Sequence, residues 1–162
     1  MTESVEVRLI VNGEALSRRI DPRMNLVDFL REELGLTGTH WSCEHGVCGA
    51  CTVRIDGGLA RGCLVFAVQL DGSRIETIEG VSESGELADL QAAFHRRNAV
   101  QCGFCSAGML LTAASLLKEN ASPSRDEIRD YLSGNYCRCT GYHAIIDAVK
   151  EVAVSRAGKA SP

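Results

Sequence analysis

Eight cysteines in two sets of four constrain this chain more than any other feature of its sequence. The first set occupies a short glycine-rich loop and one later position, with the spacing C-x4-C-x2-C-x11-C: Cys43, Cys48, Cys51 and Cys63. The second set is divided between two distant segments, with the spacing C-x2-C-x31-C-x1-C: Cys102, Cys105, Cys137 and Cys139. Such spacing argues against thiols scattered through a core, and four disulfides would need an oxidising compartment that the sequence does not indicate.

The C-x4-C-x2-C opening of the first set is the plant-type [2Fe-2S] arrangement. One loop must wrap the cluster with several thiolates and still direct backbone N–H groups at its sulfides, which requires close approach and positive φ angles. Gly46 and Gly49, within CEHGVCGAC, suit both needs. Zinc sites more often show two well-separated C-x2-C-like pairs, whereas two irons with two thiolates each account for all four cysteines.

The second set is ambiguous between zinc and iron–sulfur by spacing alone. Each pair lies where a loop runs into a predicted helix, in the segments QCGFCSAGML and CRCTGY. Helix N-termini present free N–H groups and a positive dipole end, which suit a cluster with a net negative charge. The plant-type set in the same small chain favours a second [2Fe-2S] cluster, because two clusters would form a conducting pair.

Histidine and charged residues give weaker signals. Eight thiolates suffice for two clusters, so we expect the histidines on the surface or in loops. His45 lies within the first cysteine loop, but a Rieske-type centre would replace two cysteines, and all four are present. Arg138, between two predicted ligands, either tunes a cluster potential, binds a partner carboxylate or is a solvated charge; the role of His40 is also open. No nucleophile–base arrangement is identifiable, so catalysis is expected on another chain.

The first half of the chain has the pattern of a small mixed β domain. Alternation over 5–11, an Asn12-Gly13 turn of type I′ and a second strand over 16–20 predict a hairpin. Asn25 is predicted to cap a helix that ends at Gly35. Further strands are predicted over 52–55, 59–65 and 74–78.

The second half has helical periodicity after a connector rich in glycine, serine and acidic residues over 79–86. Four helices are predicted, around Leu90, Met109, Ile128 and Val149, and Ser124 with Glu127 forms a capping box for the third. Short loops between four helices are typical of a bundle-like domain. The tail over 156–162 is expected to be disordered.

Composition excludes other classes of protein. The chain has 162 residues, of which 45% are hydrophobic, and a formal net charge of −4, which disfavours nucleic acid binding. No apolar run approaches the roughly 20 residues of a membrane span. The N-terminus lacks the layout of a secretory signal, so we expect a cytoplasmic protein, although a subunit can also be exported on another chain's signal.

The segments CEHGVCGACTV, QCGFC and YCRCTGY, in this order, resemble the small iron–sulfur subunit of the molybdenum hydroxylases, the xanthine oxidase and carbon monoxide dehydrogenase family. The resemblance runs from about Val5 to about Val152 and includes all eight cysteines. It implies an α+β fold, in which a β-grasp, plant-type ferredoxin-like domain over 1–80 precedes a four-helix-bundle-like [2Fe-2S]-binding domain over 81–162.

The resemblance also implies two partner chains and a direction of electron flow. A large subunit would hold a molybdopterin cofactor and bind the substrate, a medium subunit would hold FAD, and the assembly would be a dimer of such trimers. The C-terminal cluster would lie beside molybdenum, with Gln101 and Cys139 at positions that touch the pterin, and the N-terminal cluster would face the flavin. His40, Ser42 and Ser106-Ala107 depart from the commonest family pattern, which leaves the substrate open among N-heteroaromatic compounds, aldehydes, carbon monoxide and acyl-CoA esters.

Two alternatives to a redox-relay subunit remain at this point. A free-standing ferredoxin-like carrier or redox sensor would need one cluster and no helical half. A zinc-binding interaction module would be colourless, whereas an iron–sulfur protein is red-brown.

We predict that the purified chain carries about four irons and about four acid-labile sulfides, because the eight cysteines form two complete ligand sets. Metal and sulfide analysis of the chain purified without oxygen checks this. Zinc in place of iron at either site would contradict it.

Overall fold

The structure of the protein, a computed structural model, describes residues 3–159. Its N-terminal half is a five-stranded mixed sheet in the order β2-β1-β5-β3-β4. The strands are β1 Val5–Val11, β2 Glu14–Ile20, β3 Thr52–Ile55, β4 Gly58–Arg61 and β5 Arg74–Glu76. β1 and β5 are parallel, and the other neighbouring strands are antiparallel. The expected mixed β domain is therefore confirmed.

The hairpin of β1 and β2 follows from its sequence pattern. Val7, Leu9 and Val11 alternate with more exposed residues and bury one face of β1 in the core. Asn12 has a φ of 51° and Gly13 a φ of 87°, as the predicted type I′ turn requires. The Asn12 side chain also accepts a hydrogen bond from the Thr77 N–H at 2.8 Å, which links the turn to the end of β5.

The predicted first helix is present, but it changes type along its length. Helix α1, Leu26–Asp28, is capped by Asn25, whose side chain accepts from the Asp28 N–H at 2.9 Å. It continues as a π-helix over Phe29–Glu33, which sequence periodicity does not predict. Phe29 and its neighbour Leu30 are both fully buried in this segment, beneath the sheet.

The C-terminal half is helical, as predicted. Its helices are α2 Ile78–Glu83, α3 Ala88–Arg96, α4 Ser106–Glu119, α5 Arg125–Leu132 and α6 His143–Lys159. Helix α4 is apolar on nearly all sides and packs against its neighbours in the centre of the second core. The capping box of α5 is confirmed, because Ser124 and Glu127 each accept from the other's backbone N–H.

Three segments differ from the sequence-based expectation. The strand expected over 59–65 ends at Arg61, and a 3-10 turn over Gly62–Leu64 follows, because Cys63 must leave the sheet to reach the other cysteines. Part of the expected connector is helix α2, which begins at Ile78, so the strand expected over 74–78 ends at Glu76. The tail expected to be disordered from Arg156 is helical to Lys159, where the Arg156 guanidinium binds Asp89 at 2.8 Å; residues 160–162 of that expectation lie outside the described residues.

Within residues 3–159, no helix is both long and apolar enough to cross a membrane.

A buried arginine ties the sheet to the helical half. The Arg54 side chain on β3 is 3% exposed and donates to both carboxylate oxygens of Glu86, at 2.7 and 3.1 Å. Lys118 on α4 binds the same carboxylate at 3.1 Å. Hydrogen bonding from Arg54 is the largest cause that lowers the pKa of Glu86, against the opposing effect of burial. Without this carboxylate, the buried guanidinium would keep only its longer ion pair with Glu76, at 3.9 Å.

We predict that Glu86→Gln lowers the free energy of unfolding at pH 7 by about 2 kcal/mol, the scale of one charge-assisted hydrogen bond to a partly solvated group. Because the pKa of Glu86 is lowered on folding, this contribution is present above the ordinary glutamate pKa and is lost as the pH falls through the lowered value. A fall of roughly 4–8 °C in the thermal midpoint is expected. Glu6→Gln, which loses only an exposed hydrogen bond to Ser17, is the control and should shift the midpoint little; equal midpoints for the two variants would contradict the role of Glu86.

Candidate metal centres

The first cysteine loop has the left-handed backbone that the sequence predicts. Gly46 and Gly49 have φ angles of 82° and 75°, and Glu44 between the first cysteines has a φ of 56°. A Cβ atom at Gly46 would collide with the Leu64 side chain, and one at Gly49 would lie 2.5 Å from the Gly134 carbonyl oxygen. Gly49 therefore allows both the turn of the loop and the close approach of the second domain.

The thiols of the first set meet in two pairs. The Cys48 N–H donates to the Cys43 sulfur at 3.4 Å, and the two side chains also lie within hydrogen-bonding reach. Cys51 pairs in the same way with Cys63. Hydrogen bonds from the backbone of Cys48 and then His45 lower the pKa of Cys43 to about 6, whereas burial raises the pKa of Cys51 to about 11.

The 3-10 turn after β4 delivers the fourth thiol of this set. The Gly62 N–H donates to the Cys51 carbonyl oxygen at 3.0 Å, so the chain leaves β4 directly beside the cysteine loop. A Cβ atom at Gly62 would lie 3.3 Å from that oxygen and 3.4 Å from the Val27 nitrogen. The turn thus requires a small residue immediately before Cys63.

The second set is assembled at the starts of two helices, as predicted. Cys105 is the N-cap residue of α4, and Cys137 and Cys139 lie in the loop that precedes α6. The sulfurs of Cys102 and Cys139 are 3.6 Å apart. The Cys105 thiol is within hydrogen-bonding reach of Cys137. Burial, more than any other effect, raises the pKa of Cys105 to about 12.

Pairing of the thiols fits two irons at each site. Each iron of a [2Fe-2S] cluster takes two thiolates, so four cysteines should meet two by two, as both sets do. A structural zinc site instead gathers its ligands tightly around one ion. The donor sets therefore suit clusters better than zinc.

Backbone hydrogen bonds join the two cysteine loops across the domain boundary. The Tyr136 N–H, adjacent to Cys137, donates to the Cys48 carbonyl oxygen at 2.8 Å. Beside it, the buried Asn135 side chain donates to the Gly49 carbonyl oxygen at 3.2 Å and accepts from the Thr112 hydroxyl at 3.0 Å. One candidate ligand of each set thus lies at or next to a direct contact between the loops.

Side chains of the first domain also reach the second loop. His40 stacks on Phe104 with ring centroids 4.6 Å apart, and its Nδ1 is 2.9 Å from the Phe104 carbonyl oxygen. Since that oxygen can only accept, Nδ1 carries the hydrogen. His45 makes the same kind of bond to the Cys43 carbonyl oxygen. Both histidines shape the cysteine loops.

An open cavity lies beside the second set; Arg138 lines it, and Gln101 contacts Cys139, another lining residue. The Gln101 side-chain N–H donates to the Cys139 carbonyl oxygen at 3.0 Å, and both residues are exposed. Arg138 lines the cavity together with Tyr136 and Cys139. The two predicted pterin-contacting residues therefore lie side by side at the surface.

Sequence reasoning missed three residues that shape the site. Asn135 and Thr112 are buried polar residues that hold the cysteine loops together. Tyr142 has a φ of 70°, which is uncommon outside glycine, and its hydroxyl accepts from the Cys137 N–H at 2.8 Å. The segment CRCTGY carried the only available signal, an aromatic residue after a Thr-Gly turn.

Family models match the two halves of the chain separately. The model described as "2Fe-2S iron-sulfur cluster binding domain" matches residues 9–78, and the one described as "[2Fe-2S] binding domain" matches residues 77–150. Two [2Fe-2S]-binding domains support two clusters in this chain.

Relatives and solved structures cover nearly the whole chain. Caffeine dehydrogenase subunit gamma from a Pseudomonas species is 52% identical and covers 90% of this chain and 89% of its own. The nicotine 6-hydroxylase small subunit of Paenarthrobacter nicotinovorans is 49% identical, covering 91% and 89%. The crystal structure of quinoline 2-oxidoreductase from Pseudomonas putida 86 matches with a TM-score of 0.90 and 52% identity over 98% of each chain. The chain belongs to the small iron–sulfur subunits of the molybdenum hydroxylases.

Membership in this family confirms an oxidoreductase subunit with an electron-transfer role. In the aldehyde oxidoreductase of Megalodesulfovibrio gigas, which is 44% identical, the match covers 93% of this chain but 17% of the relative, so the same unit is also found within a longer polypeptide. The α+β fold is confirmed by the structure and the comparisons, while the eight ligands, the pterin contacts and the 1–80 and 81–162 domain bounds stay predictions.

We predict that Gly108→Ala destabilises the chain by about 1–3 kcal/mol, the cost typical of overpacking. A Cβ atom there would collide with the Gly49 carbonyl oxygen and lie 2.9 Å from the Asn135 amide nitrogen, between the two cysteine loops. Gly158→Ala is the matched control, because a Cβ atom there meets nothing within 4 Å and should add up to about 1 kcal/mol of helix stability. Thermal unfolding that shows both variants equally stable would refute this close contact.

Proposed function

We propose that this chain relays electrons from a molybdopterin centre on a large subunit, through two [2Fe-2S] clusters, to FAD on a medium subunit. Hydroxylation at the large subunit would release two electrons, which would pass singly through this chain and together reduce FAD. The eight cysteines would be the cluster ligands, four in each domain. The chain itself would contribute no group that touches the substrate.

The hydrogen bond between the Tyr136 N–H and the Cys48 carbonyl oxygen is the observation that carries this proposal. At 2.8 Å, it connects one candidate ligand of the first set to the residue before a candidate ligand of the second. A short chain of covalent bonds and one hydrogen bond thus joins the two sets. A storage or sensing protein would not need its sites linked so directly.

The outer face of the second set suits entry of electrons from the pterin. Cys102 and Cys139 are exposed, whereas Cys105 and Cys137 are half-buried. Gln101 lies beside Cys139 and offers amide groups to a neighbouring polar ring. These features support Gln101 and Cys139 as the pterin-contacting residues.

Exposed apolar side chains flank both cysteine sets and support two protein partners. Leu64 and Phe66, close to Cys63 in the chain, are 61% and 48% exposed, and Val47, in the loop between Cys43 and Cys48, is also exposed. Tyr136 and Phe104 are exposed beside the second set. Exposed apolar surface of this kind indicates docking sites. We assign the surface near Cys63 to the FAD subunit and the other to the molybdopterin subunit, within a dimer of heterotrimers.

Relatives suggest the substrate class of the complex. Caffeine, nicotine, nicotinate and quinoline, which name four similar proteins, are all N-heterocycles, and each of those proteins is 47–52% identical to this chain. The aldehyde oxidoreductases are 39–44% identical. We therefore propose an N-heteroaromatic substrate, and a complex that works in the cytoplasm, where thiols stay reduced.

The relay is tested with Cys51→Ser in the reconstituted three-subunit complex, mixed rapidly with the N-heterocycle that the wild-type complex oxidises. The C-terminal cluster should still be reduced by substrate, but flavin reduction should fail. Normal flavin reduction, after confirmed loss of the N-terminal cluster, would refute the relay.

Two further variants test which cluster receives electrons first. Cys105→Ser, the control for Cys51→Ser, should abolish reduction of the N-terminal cluster by substrate, since the electron would have no first acceptor. Gln101→Ala should slow cluster reduction while both clusters still assemble. If the flavin were reduced faster than the clusters in either variant, the proposed order of electron transfer would be wrong.

A further inference from the structure

The Cys137 sulfur receives two hydrogen bonds from the residue that follows Cys139. The Thr140 hydroxyl lies 3.1 Å from this sulfur, and the Thr140 N–H donates to it at 3.4 Å. In the first set, the Cys43 sulfur accepts a hydrogen bond from a backbone N–H. Among the described residues, no hydroxyl group donates to this sulfur. A side-chain donor distinguishes the second set.

The direction of the Thr140 hydrogen bond follows from its neighbours. The Tyr142 N–H donates to the Thr140 hydroxyl oxygen at 3.2 Å, which occupies one of the oxygen's acceptor positions. The single hydroxyl hydrogen is then left to point at the Cys137 sulfur. With Cys137 as a thiolate, which has no hydrogen to give, Thr140 is the donor of this bond.

Tyr142 holds this arrangement in place. Its left-handed backbone, with a φ of 70°, directs its N–H back toward Thr140, a conformation that is uncommon for a bulky residue. Its hydroxyl accepts from the Cys137 N–H at 2.8 Å and donates to the Asn135 carbonyl oxygen at 3.3 Å. A strained residue at a candidate centre points to a functional constraint on that backbone.

We propose that Thr140 raises the reduction potential of the C-terminal cluster by donating its hydroxyl hydrogen to the Cys137 sulfur, with Tyr142 as the residue that positions it. This inference rests on the proposed function, since it takes Cys137 as a cluster ligand. One-electron reduction adds a negative charge to the cluster and its thiolates. A donor to a ligand sulfur stabilises that added charge, and hydrogen bonds to sulfur are among the factors that set cluster potentials.

Thr140→Val removes the hydroxyl but keeps the shape of the side chain and the backbone N–H. We expect the equilibrium constant for reduction of the C-terminal cluster to fall about tenfold, which is about 59 mV for one electron. Thr140→Ser retains the hydroxyl and should restore the wild-type potential. The potential of the N-terminal cluster, measured in the same sample, should not change.

The measurement is a dithionite titration with redox mediators, followed by electron paramagnetic resonance of the full chain within its purified complex. Pulsed resonance in D2O supplies a second readout. A deuteron coupled to the reduced C-terminal cluster, present in the wild type and in Thr140→Ser, should be lost in Thr140→Val. A purely structural role would broaden signals without this selective loss.

An unchanged potential in Thr140→Val, with the cluster fully assembled, would overturn the proposal. If Thr140→Val loses the cluster, Thr140→Ala is titrated instead, and loss of the cluster there too would assign Thr140 to assembly and also overturn it. The titration needs no substrate and no electron transfer between subunits. If Thr140→Val shifts the potential but Cys51→Ser still shows normal flavin reduction, only the relay is rejected. If Thr140→Val leaves the potential unchanged but flavin reduction fails in Cys51→Ser, only this inference is rejected.

Discussion

The Tyr136 N–H donates to the Cys48 carbonyl oxygen across the boundary between the domains, and the surrounding structure is built to keep these two groups in contact. Each of these two groups finds its hydrogen-bond partner in the other domain. The approach is close enough that glycine is required on both sides, because a Cβ atom at Gly49 would meet the second domain and one at Gly108 would meet the first. Asn135 fills the remaining polar space with hydrogen bonds in both directions, so the contact carries no unpaired buried amide.

Local signals in the sequence predicted the elements that depend on local physics. The Asn12-Gly13 turn, the Asn25 cap and the Ser124 capping box each depend on side chains within a few residues of one another, and each is present as expected. Cysteine spacing predicted two sets of four ligands, since a cluster dictates the distances among its own ligands, and the contacts Cys43–Cys48 and Cys102–Cys139 fall within those sets, while the assignment of all eight stays a prediction. The resemblance to a known family supplied the two-domain arrangement and the helical half.

Other features could not be predicted because they depend on partners distant in the chain. The strand expected over 59–65 ends early, since the position of Cys63 is set by a loop twelve residues before it and not by local β propensity. The C-terminal helix extends to Lys159 because Arg156 finds Asp89 on another helix, a contact that composition cannot reveal. Asn135 and Tyr142 carry no pattern of their own; each acquires a role only when two loops are brought together.

The two cysteine sets differ in exposure, and this difference limits what the chain can do: Cys51 is buried and the rest of the first set is half-buried, whereas the second set has two exposed thiols. Burial raises the pKa of Cys51 and Cys105, whereas Cys102 and Cys139 are exposed at the surface. A carrier that exchanges electrons with one partner at a time needs only one open edge. Under the proposed relay, the open edge of the second set and the exposed apolar side chains beside the first would allow two partners to be served at once. Under the proposed relay, the hydrogen bond between Tyr136 and Cys48 would give an electron a short path between the sets, which would favour transfer along the chain over loss to acceptors in solution.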